Sequence, residues 1–277
     1  YTMQEMIVLL GGYLYVCFRL MPGINRFINY VQGFKTAVPH IERVYDDFHN
    51  IAPKESYLDI PEISFNNEIS LKNVNFRHHG SDLDCIKEID LNIKKGECIG
   101  IIGKTGAGKS TLVDLILGLL IPTQGETLID GLYPANAKQW HKKVGYVSQS
   151  LYLVDDSIRA NIAFGCDENE IDDDQVKKAI KEAQLVEFIE NQPNGIHSPV
   201  GERGVRTSGG ERQRIAIARA LSVEPEVLIA DELVSALDVS VQAQVVNLLM
   251  DLQVKFGLAY LFISHDMAVV ERVSHRV

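Results

Sequence analysis

The chain has 277 residues, of which 46% are hydrophobic and 23% are charged, and its formal net charge is −10. This composition predicts one large folded domain, or one domain with extensions. The acidic balance leaves no basic stripe for a phosphate backbone, so we expect no nucleic acid partner. The cysteines show no paired spacing and predict neither a zinc site nor a disulfide framework; they are Cys17, Cys85, Cys98 and Cys166.

The first fifty residues differ in character from the rest. Residues 6–21 are apolar apart from Arg19. A membrane-spanning helix needs about 20 residues, so hydropathy alone leaves a buried helix, an interfacial segment and a membrane helix open. Residues 25–48 predict an amphipathic helix, which a polar linker with flanking prolines follows. The sequence therefore predicts three parts, with bounds at 1–52, 53–68 and 69–277.

From residue 69 onward, alternating strand and helix patterns predict an α/β domain. Residues 69–76 and 86–93 are expected to be antiparallel strands at one edge. Short apolar runs predict further strands at 98–102, 127–130, 144–147, 227–230 and 260–263. Helices are expected at 109–119, 157–164, 172–185, 215–221 and 239–256. A helical subdomain is expected at about 150–222.

Residues 103–110 have the spacing of a loop that cradles nucleotide phosphates. Its glycines allow a tight turn whose N–H groups converge on phosphate oxygens. Lys109 supplies a positive charge, and Ser110 offers a hydroxyl to Mg²⁺. The predicted nucleotide contacts are Gly103, Lys104, Thr105, Gly106, Ala107, Gly108, Lys109, Ser110 and Thr111. An apolar strand before the loop and a helix after it predict a P-loop NTPase core with a RecA-like parallel sheet. The alternative is an unrelated glycine-rich turn.

Two carboxylates, Asp231 and Glu232, end an apolar strand. Asp231 can hold Mg²⁺ through water, and Glu232 can orient or polarise an attacking water. His265 follows the next strand, where ligands bind in such folds. The alternatives are solvated acids at a strand end and an incidental histidine.

The stretch Ser208-Gly-Gly-Glu211 is a capping box that leaves the first turn of a helix bare. A capped, bare helix N-terminus binds anions. Because the chain already contains one phosphate loop, a second anion site predicts a dimer with nucleotide between the two subunits.

Together these motifs resemble those of ATP-binding cassette (ABC) transporter ATPases. The resemblance implies that Gln149 is the Q-loop residue, which senses Mg²⁺ and acts with Glu232 and His265 in catalysis. It also implies nucleotide contacts from His78, at a base-stacking position, from the signature Ser208, Gly209, Gly210 and Glu211, and from Asp238 of the D-loop. Thr207 and Glu211 replace the signature's usual leucine and glutamine.

The N-terminal segment resembles the last transmembrane helix of an exporter half-transporter, most similar to flippases of lipid-linked oligosaccharides. Residues 201–204 resemble the exporter loop that contacts the membrane domain. The resemblance implies ATP and Mg²⁺ as cofactors, a homodimer, and contact with membrane lipid. It also implies a bacterial inner membrane location with the ATPase domain in the cytoplasm, and a cassette cut short before its closing strands.

Residues 224–277 instead resemble the ATPase subunits of peptide and glutathione importers, with an apparent junction at 213–224. A natural mosaic, an engineered chimera and a joined sequence all fit this pattern. The rival functions are an importer ATPase, a soluble ABC ATPase acting on DNA or ribosomes, and a non-catalytic dimerisation module.

Overall fold

The computed structural model describes residues 2–49, 60, 62–81, 83–104, 106–235 and 237–277. The chain divides into two compact units, residues 1–56 and 57–277. Half of the linker expected at 53–68 falls outside the described residues.

The first unit contains one long helix, α1 (Met3–His49). Pro22, which comes directly after the apolar run at residues 6–21, lies inside this helix together with Pro39. The stretch Met6–Asp46 is long and apolar enough to cross a membrane. Its large apolar side chains are exposed along its length, including Leu10, Phe27 and Phe34. An apolar surface of this extent is stable only against lipid or another apolar surface.

The second unit alternates strands and helices. Its strands are β1 (Glu68–Phe76), β2 (Ile86–Lys94), β3 (Cys98–Ile101), β4 (Gln124–Ile129), β5 (Tyr133–Pro134), β6 (Val144–Val147), β7 (Val227–Asp231) and β8 (Ala259–Ile263). Its helices are α2 (Lys109–Leu117), α3 (Lys138–His141), α4 (Ile158–Ile162), α5 (Asp173–Glu182), α6 (Val186–Glu190), α7 (Gly209–Leu221), α8 (Val239–Phe256) and α9 (Met267–Val273).

An antiparallel sheet has the strand order β2-β1-β4-β5. Ile69 of β1 lies opposite Ile93 of β2 and Ile129 of β4, and all three side chains are buried. The two antiparallel strands predicted from alternation are confirmed to within one residue. They belong to a sheet of their own and not to an edge of the parallel one. Pairing with β2 on one side and β4 on the other satisfies the hydrogen bonding of β1 within the antiparallel sheet.

The parallel sheet has the strand order β3-β8-β7-β6. Every residue of β7 and β8 is buried, as expected for strands covered on both faces. On one face, Leu228 and Ala230 belong to a core that includes side chains of α7 and α8. On the other face, Val227 and Ile229 belong to a core with α2 and Trp140. This double burial fixes the carboxyl ends of the strands, where ligands bind in parallel sheets.

A small ion cluster lies at the amino end of β7. The Glu226 carboxylate accepts hydrogen bonds from the ammonium groups of Lys95 and Lys143. Lys95 also donates to the backbone carbonyl of Phe65, at 2.7 Å. Burial alone would raise the pKa of Glu226, but the two ammonium groups outweigh it and hold the pKa below its usual value. The cluster thus links residues before β1 to the start of the central strand.

We expect Glu226→Gln to lower the free energy of unfolding near neutral pH by about 1 kcal/mol, because two charge-assisted hydrogen bonds weaken. The pKa of this carboxyl is lower in the folded chain than in the unfolded chain. Its stabilisation is therefore fully present above about pH 4.5, the usual value, and is lost as the pH falls through the folded pKa. Urea unfolding at several pH values measures this.

The matched control is Glu224→Gln, which changes an exposed glutamate paired with Lys178. We expect this variant to cost less than Glu226→Gln at neutral pH. A gap between parent and Glu226→Gln that stayed constant from pH 7 to pH 3 would contradict the assignment.

Candidate nucleotide-binding site

The phosphate loop, residues 103–110, joins β3 to the N-terminus of α2. Gly106 and Gly108 have φ values of +82° and +90°, so both occupy the left-handed region that glycine adopts without strain. The Lys109 ammonium donates to the carbonyls of Gly103, at 2.9 Å, and Lys104, at 3.3 Å. Thr105 lies outside the described residues. The loop therefore curls around the end of the Lys109 side chain, as a phosphate cradle requires.

Close packing fixes the loop against the start of β2. A Cβ atom on Gly108 would lie 3.0 Å from Cδ1 of Ile86 and 3.1 Å from the carbonyl oxygen of Cys85. Thr111, one turn into α2, has its hydroxyl 3.4 Å from Sγ of Cys85. Ser110 lies exposed at the first turn of α2, where helix N–H groups favour an anion.

The three residues predicted to be catalytic lie together at the carboxyl end of the parallel sheet. Nε2 of Gln149 donates to Oε2 of Glu232 at 2.7 Å. Nδ1 of His265 lies 3.7 Å from the same oxygen. Gln149 follows β6, Glu232 follows β7 and His265 follows β8, so adjacent strands deliver the side chains to one place.

The backbone at Glu232 has a φ of +45°, which is strained for a residue with a side chain. Its N–H donates to the carbonyl of Ile263 on β8, and its carbonyl accepts from the Ser235 hydroxyl at 2.9 Å. These bonds hold the carboxylate at the strand end.

Asp231 is almost fully buried at the end of β7. Burial raises the pKa of its carboxyl, and the charges of Glu232 and Asp114 add to the rise. A hydrogen bond from the Tyr146 hydroxyl, at 3.4 Å, and the charge of Lys109 act in the opposite direction. Sequence reasoning missed Tyr146 and Asp114. The available signals were the position of Asp114 one helical turn after Ser110 and that of Tyr146 three residues before Gln149.

The oxygen donors at the site fit a hard divalent cation. Ser110 offers a hydroxyl, Asp231 a carboxylate and Gln149 an amide oxygen, because its amide nitrogen is the group engaged by Glu232. In the part of the chain that the structure describes, no three His, Cys, Asp or Glu side chains converge as a metal cluster. Mg²⁺ is commonly held by one or two carboxylates and by substrate phosphates, without a full protein cage. The donor set therefore fits Mg²⁺ beside a nucleotide.

The signature turn, Ser208–Glu211, opens α7 with the predicted capping box. The Ser208 hydroxyl accepts from the Glu211 N–H, and the Glu211 carboxylate accepts from the Ser208 N–H at 2.6 Å. Glu211, which replaces a usual glutamine, thus serves the cap as a glutamine would. The hydroxyl of buried Thr207 donates to the Gly204 carbonyl at 2.7 Å, which joins the turn to residues 201–204.

The signature turn packs at the start of α8 and not at the phosphate loop. Cβ atoms on Gly209 and Gly210 would lie 3.3 Å from Leu237 and 2.8 Å from Val241. Asp238, the residue before α8, is exposed and makes no side-chain cap. Among the residues described, no hydrogen bond or ion pair joins the signature turn to the phosphate loop. Ala236 of the D-loop lies outside the described residues.

His78 lies exposed just after β1, with its ring edge-to-face against Phe76 at a centroid distance of 4.9 Å. Burial raises the pKa of the Asp114 carboxyl on α2, and the nearby His78 side chain acts in the opposite direction. The base-stacking role expected for His78 stays a prediction.

A family model for ABC transporters matches residues 86–235, more than half of the chain. The chain belongs to the ABC transporter family. This assignment confirms the predicted P-loop fold, and an ABC domain binds ATP. The matched segment contains the phosphate loop, the signature turn and both carboxylates.

Relatives of this ABC chain include a flippase and a translocation ATP-binding protein. It is 35% identical over 213 residues to an ATP-dependent lipid A-core flippase of Ralstonia nicotianae, covering 76% of the chain and 36% of the relative. It is 35% identical over 267 residues to the exotoxin translocation ATP-binding protein PaxB of Pasteurella aerogenes, covering 93% and 36%. The chain therefore spans about a third of the length of these relatives.

A solved structure agrees with this likeness. A bacterial Atm1-family ABC exporter with ATP bound superposes with a TM-score of 0.69 and 28% identity, covering 86% of the chain and 42% of that protein. The predicted resemblance to exporter ATPases is confirmed. The match to the exotoxin relative covers 93% of the chain, so it extends beyond residue 224. The importer-like junction at 213–224 stays a prediction.

We expect Gly108→Ala to weaken ATP binding by about tenfold or more, because a left-handed alanine costs about 1–2 kcal/mol and its methyl group would press on Ile86 and Cys85. Titration with a fluorescent ATP analogue measures this. The control is Gly131→Ala, which has a positive φ but open space around it. Equal ATP affinity in both variants would argue against the cradle.

Proposed function

We propose that the chain is the ATPase part of an ABC exporter and hydrolyses ATP at a site shared by two copies. The observation that carries this proposal is the convergence of Gln149 and His265 on the Glu232 carboxylate, beside a phosphate loop.

The residues have separate roles in the proposed reaction. The loop N–H groups and Lys109 bind the phosphates, and the N-terminus of α2 adds its dipole. Ser110, Asp231 and Gln149 would hold Mg²⁺, which supplies charge neutralisation at the phosphates when bound. Glu232 orients and polarises the attacking water, and His265 contacts the γ-phosphate. The 2.7 Å hydrogen bond between Gln149 and Glu232 supports a joint role in catalysis, because displacement of one side chain would also move or release the other.

A second copy completes the site. The signature turn is the second anion site in this proposal, and its glycines pack against Leu237 and Val241 at the start of α8. Each nucleotide would therefore lie between the phosphate loop of one copy and Ser208, Gly209, Gly210 and Asp238 of the other. Glu211 adds a carboxylate near that triphosphate, but its bond to the Ser208 N–H directs it back to its own helix. ATP binding closes this homodimer, and hydrolysis opens it.

The membrane part of the proposal rests on α1. We propose that α1 ends a transmembrane domain, that residues 53–68 link it to an ATPase domain at 69–277, and that lipid contacts its apolar surface. The flippase and exotoxin translocation relatives and the likeness to an ABC exporter structure support outward transport. A lipid-linked glycan is the proposed cargo, in line with the flippase relative, and the location is a bacterial inner membrane with a cytoplasmic ATPase domain.

We expect Glu232→Gln to reduce ATP hydrolysis by about 100-fold or more while ATP still binds, because the amide cannot polarise water as the carboxylate does. The variant should accumulate as an ATP-bound dimer. Phosphate release and light scattering of the detergent-purified full chain measure both effects.

The matched control is Glu187→Gln, an exposed glutamate on α6, which should hydrolyse ATP at the parent rate. Lys109→Ala should lose ATP binding itself, since the phosphates lose their point charge. Parent-rate turnover by Glu232→Gln would remove this residue from the mechanism. A folded parent that binds ATP but neither dimerises nor hydrolyses it would be the non-catalytic module instead.

A further inference from the structure

Tyr146 lies beside the buried carboxylate at the end of the central strand. In the parallel pairing of β6 and β7, Tyr146 lies opposite Ile229. Residues in register share a sheet face, and side chains two apart on one strand do so too. Tyr146 is therefore on the face of Asp231, and its hydroxyl donates to Oδ2 of that carboxylate at 3.4 Å.

This hydrogen bond has no substitute within the described residues, where no other side chain hydrogen-bonds the Asp231 carboxylate. Several charged side chains also act on this carboxyl. Lys109 attracts it, whereas Glu232 and Asp114 repel it. Burial and the Asp231 carboxylate raise the pKa of the Tyr146 hydroxyl to about 12, and the charge of Asp114 adds to the rise. The Tyr146 hydroxyl is therefore the described donor that can fix which oxygen of Asp231 faces the nucleotide.

The same segment also holds the second acid. Gln149, three residues after Tyr146, donates to Glu232 at 2.7 Å. β6 and the loop after it therefore contact both carboxylates at the end of β7, with one donor for each.

We propose that Tyr146 is a positioning residue for the metal-binding carboxylate: its hydroxyl holds Oδ2 of Asp231 and leaves Oδ1 to the Mg²⁺ side. This inference rests on the proposed ATPase function. Hydrogen-bond partners of metal ligands typically affect metal affinity by about 10–100-fold. Loss of the hydroxyl should weaken divalent metal binding and leave metal-free ATP binding unchanged.

The experiment compares the full chain in detergent with Tyr146→Phe, Asp231→Asn and the double variant, all made in the Glu232→Gln background to prevent turnover. Mn²⁺ binding to the ATP complex is followed by electron paramagnetic resonance. ATP binding in EDTA and the thermal unfolding midpoint are measured in parallel. Tyr152→Phe is the matched control, an exposed tyrosine three residues after Gln149.

We expect Tyr146→Phe to weaken Mn²⁺ binding by about tenfold or more. The ATP affinity in EDTA and the thermal unfolding midpoint should stay unchanged. Tyr152→Phe should match the parent. The Tyr146→Phe change should have no further effect on Asp231→Asn, since the two groups act as one.

Unchanged Mn²⁺ affinity in Tyr146→Phe would overturn the inference. An equal loss of Mn²⁺ binding, metal-free ATP binding and thermal stability would also overturn it, because the role would then be structural. Hydrolysis by the chain with its native Glu232 is assayed separately. If the chain with native Glu232 hydrolyses ATP but Tyr146→Phe leaves the Mn²⁺ affinity unchanged, the inference fails and the proposed function stands. If the chain with native Glu232 does not hydrolyse ATP, the proposed function itself is contradicted.

Discussion

Parallel pairing of β7 between β6 and β8 holds the candidate site together. The strand is buried on both faces, and hydrogen bonds engage it on both sides, so its end cannot move independently of the core. Asp231 and Glu232 stand at that end, and the neighbouring strands place Gln149 and His265 beside them. The phosphate loop follows β3 at the same edge of the sheet. A fixed strand end makes it possible to hold acids close together in a partly buried place.

The cost of that arrangement is electrostatic. Burial and the charges of Glu232 and Asp114 raise the pKa of Asp231. The Lys109 ammonium and the Tyr146 hydroxyl counteract this rise. A bound cation would act in the same direction as these two groups, since it favours an ionised carboxylate. The charges at this strand end therefore support the proposal that ATP binds together with Mg²⁺.

Local patterns predicted much of this architecture. The spacing in residues 103–110 predicted the loop, and the serine and glutamate of the signature turn predicted a cap that the structure contains. Alternation gave β1 and β2, but it could not reveal that they belong to a separate sheet, because strand partners depend on long-range packing. The continuity of α1 through Pro22 was missed, since proline usually interrupts helices. Tyr146 was missed because its partner lies 85 residues away in sequence.

Stiffness differs between the two strands that meet at the carboxylates. In the described chain β6 ends the strand order of its sheet and pairs with β7 alone, whereas β7 has a neighbour on either side. Displacing β6 would stretch one ladder of hydrogen bonds, and displacing β7 would stretch two. A force applied to this region would therefore displace β6 before β7. Since Tyr146 lies on β6 and Gln149 follows it, such a displacement would shift the hydrogen-bond donors of both acids at once.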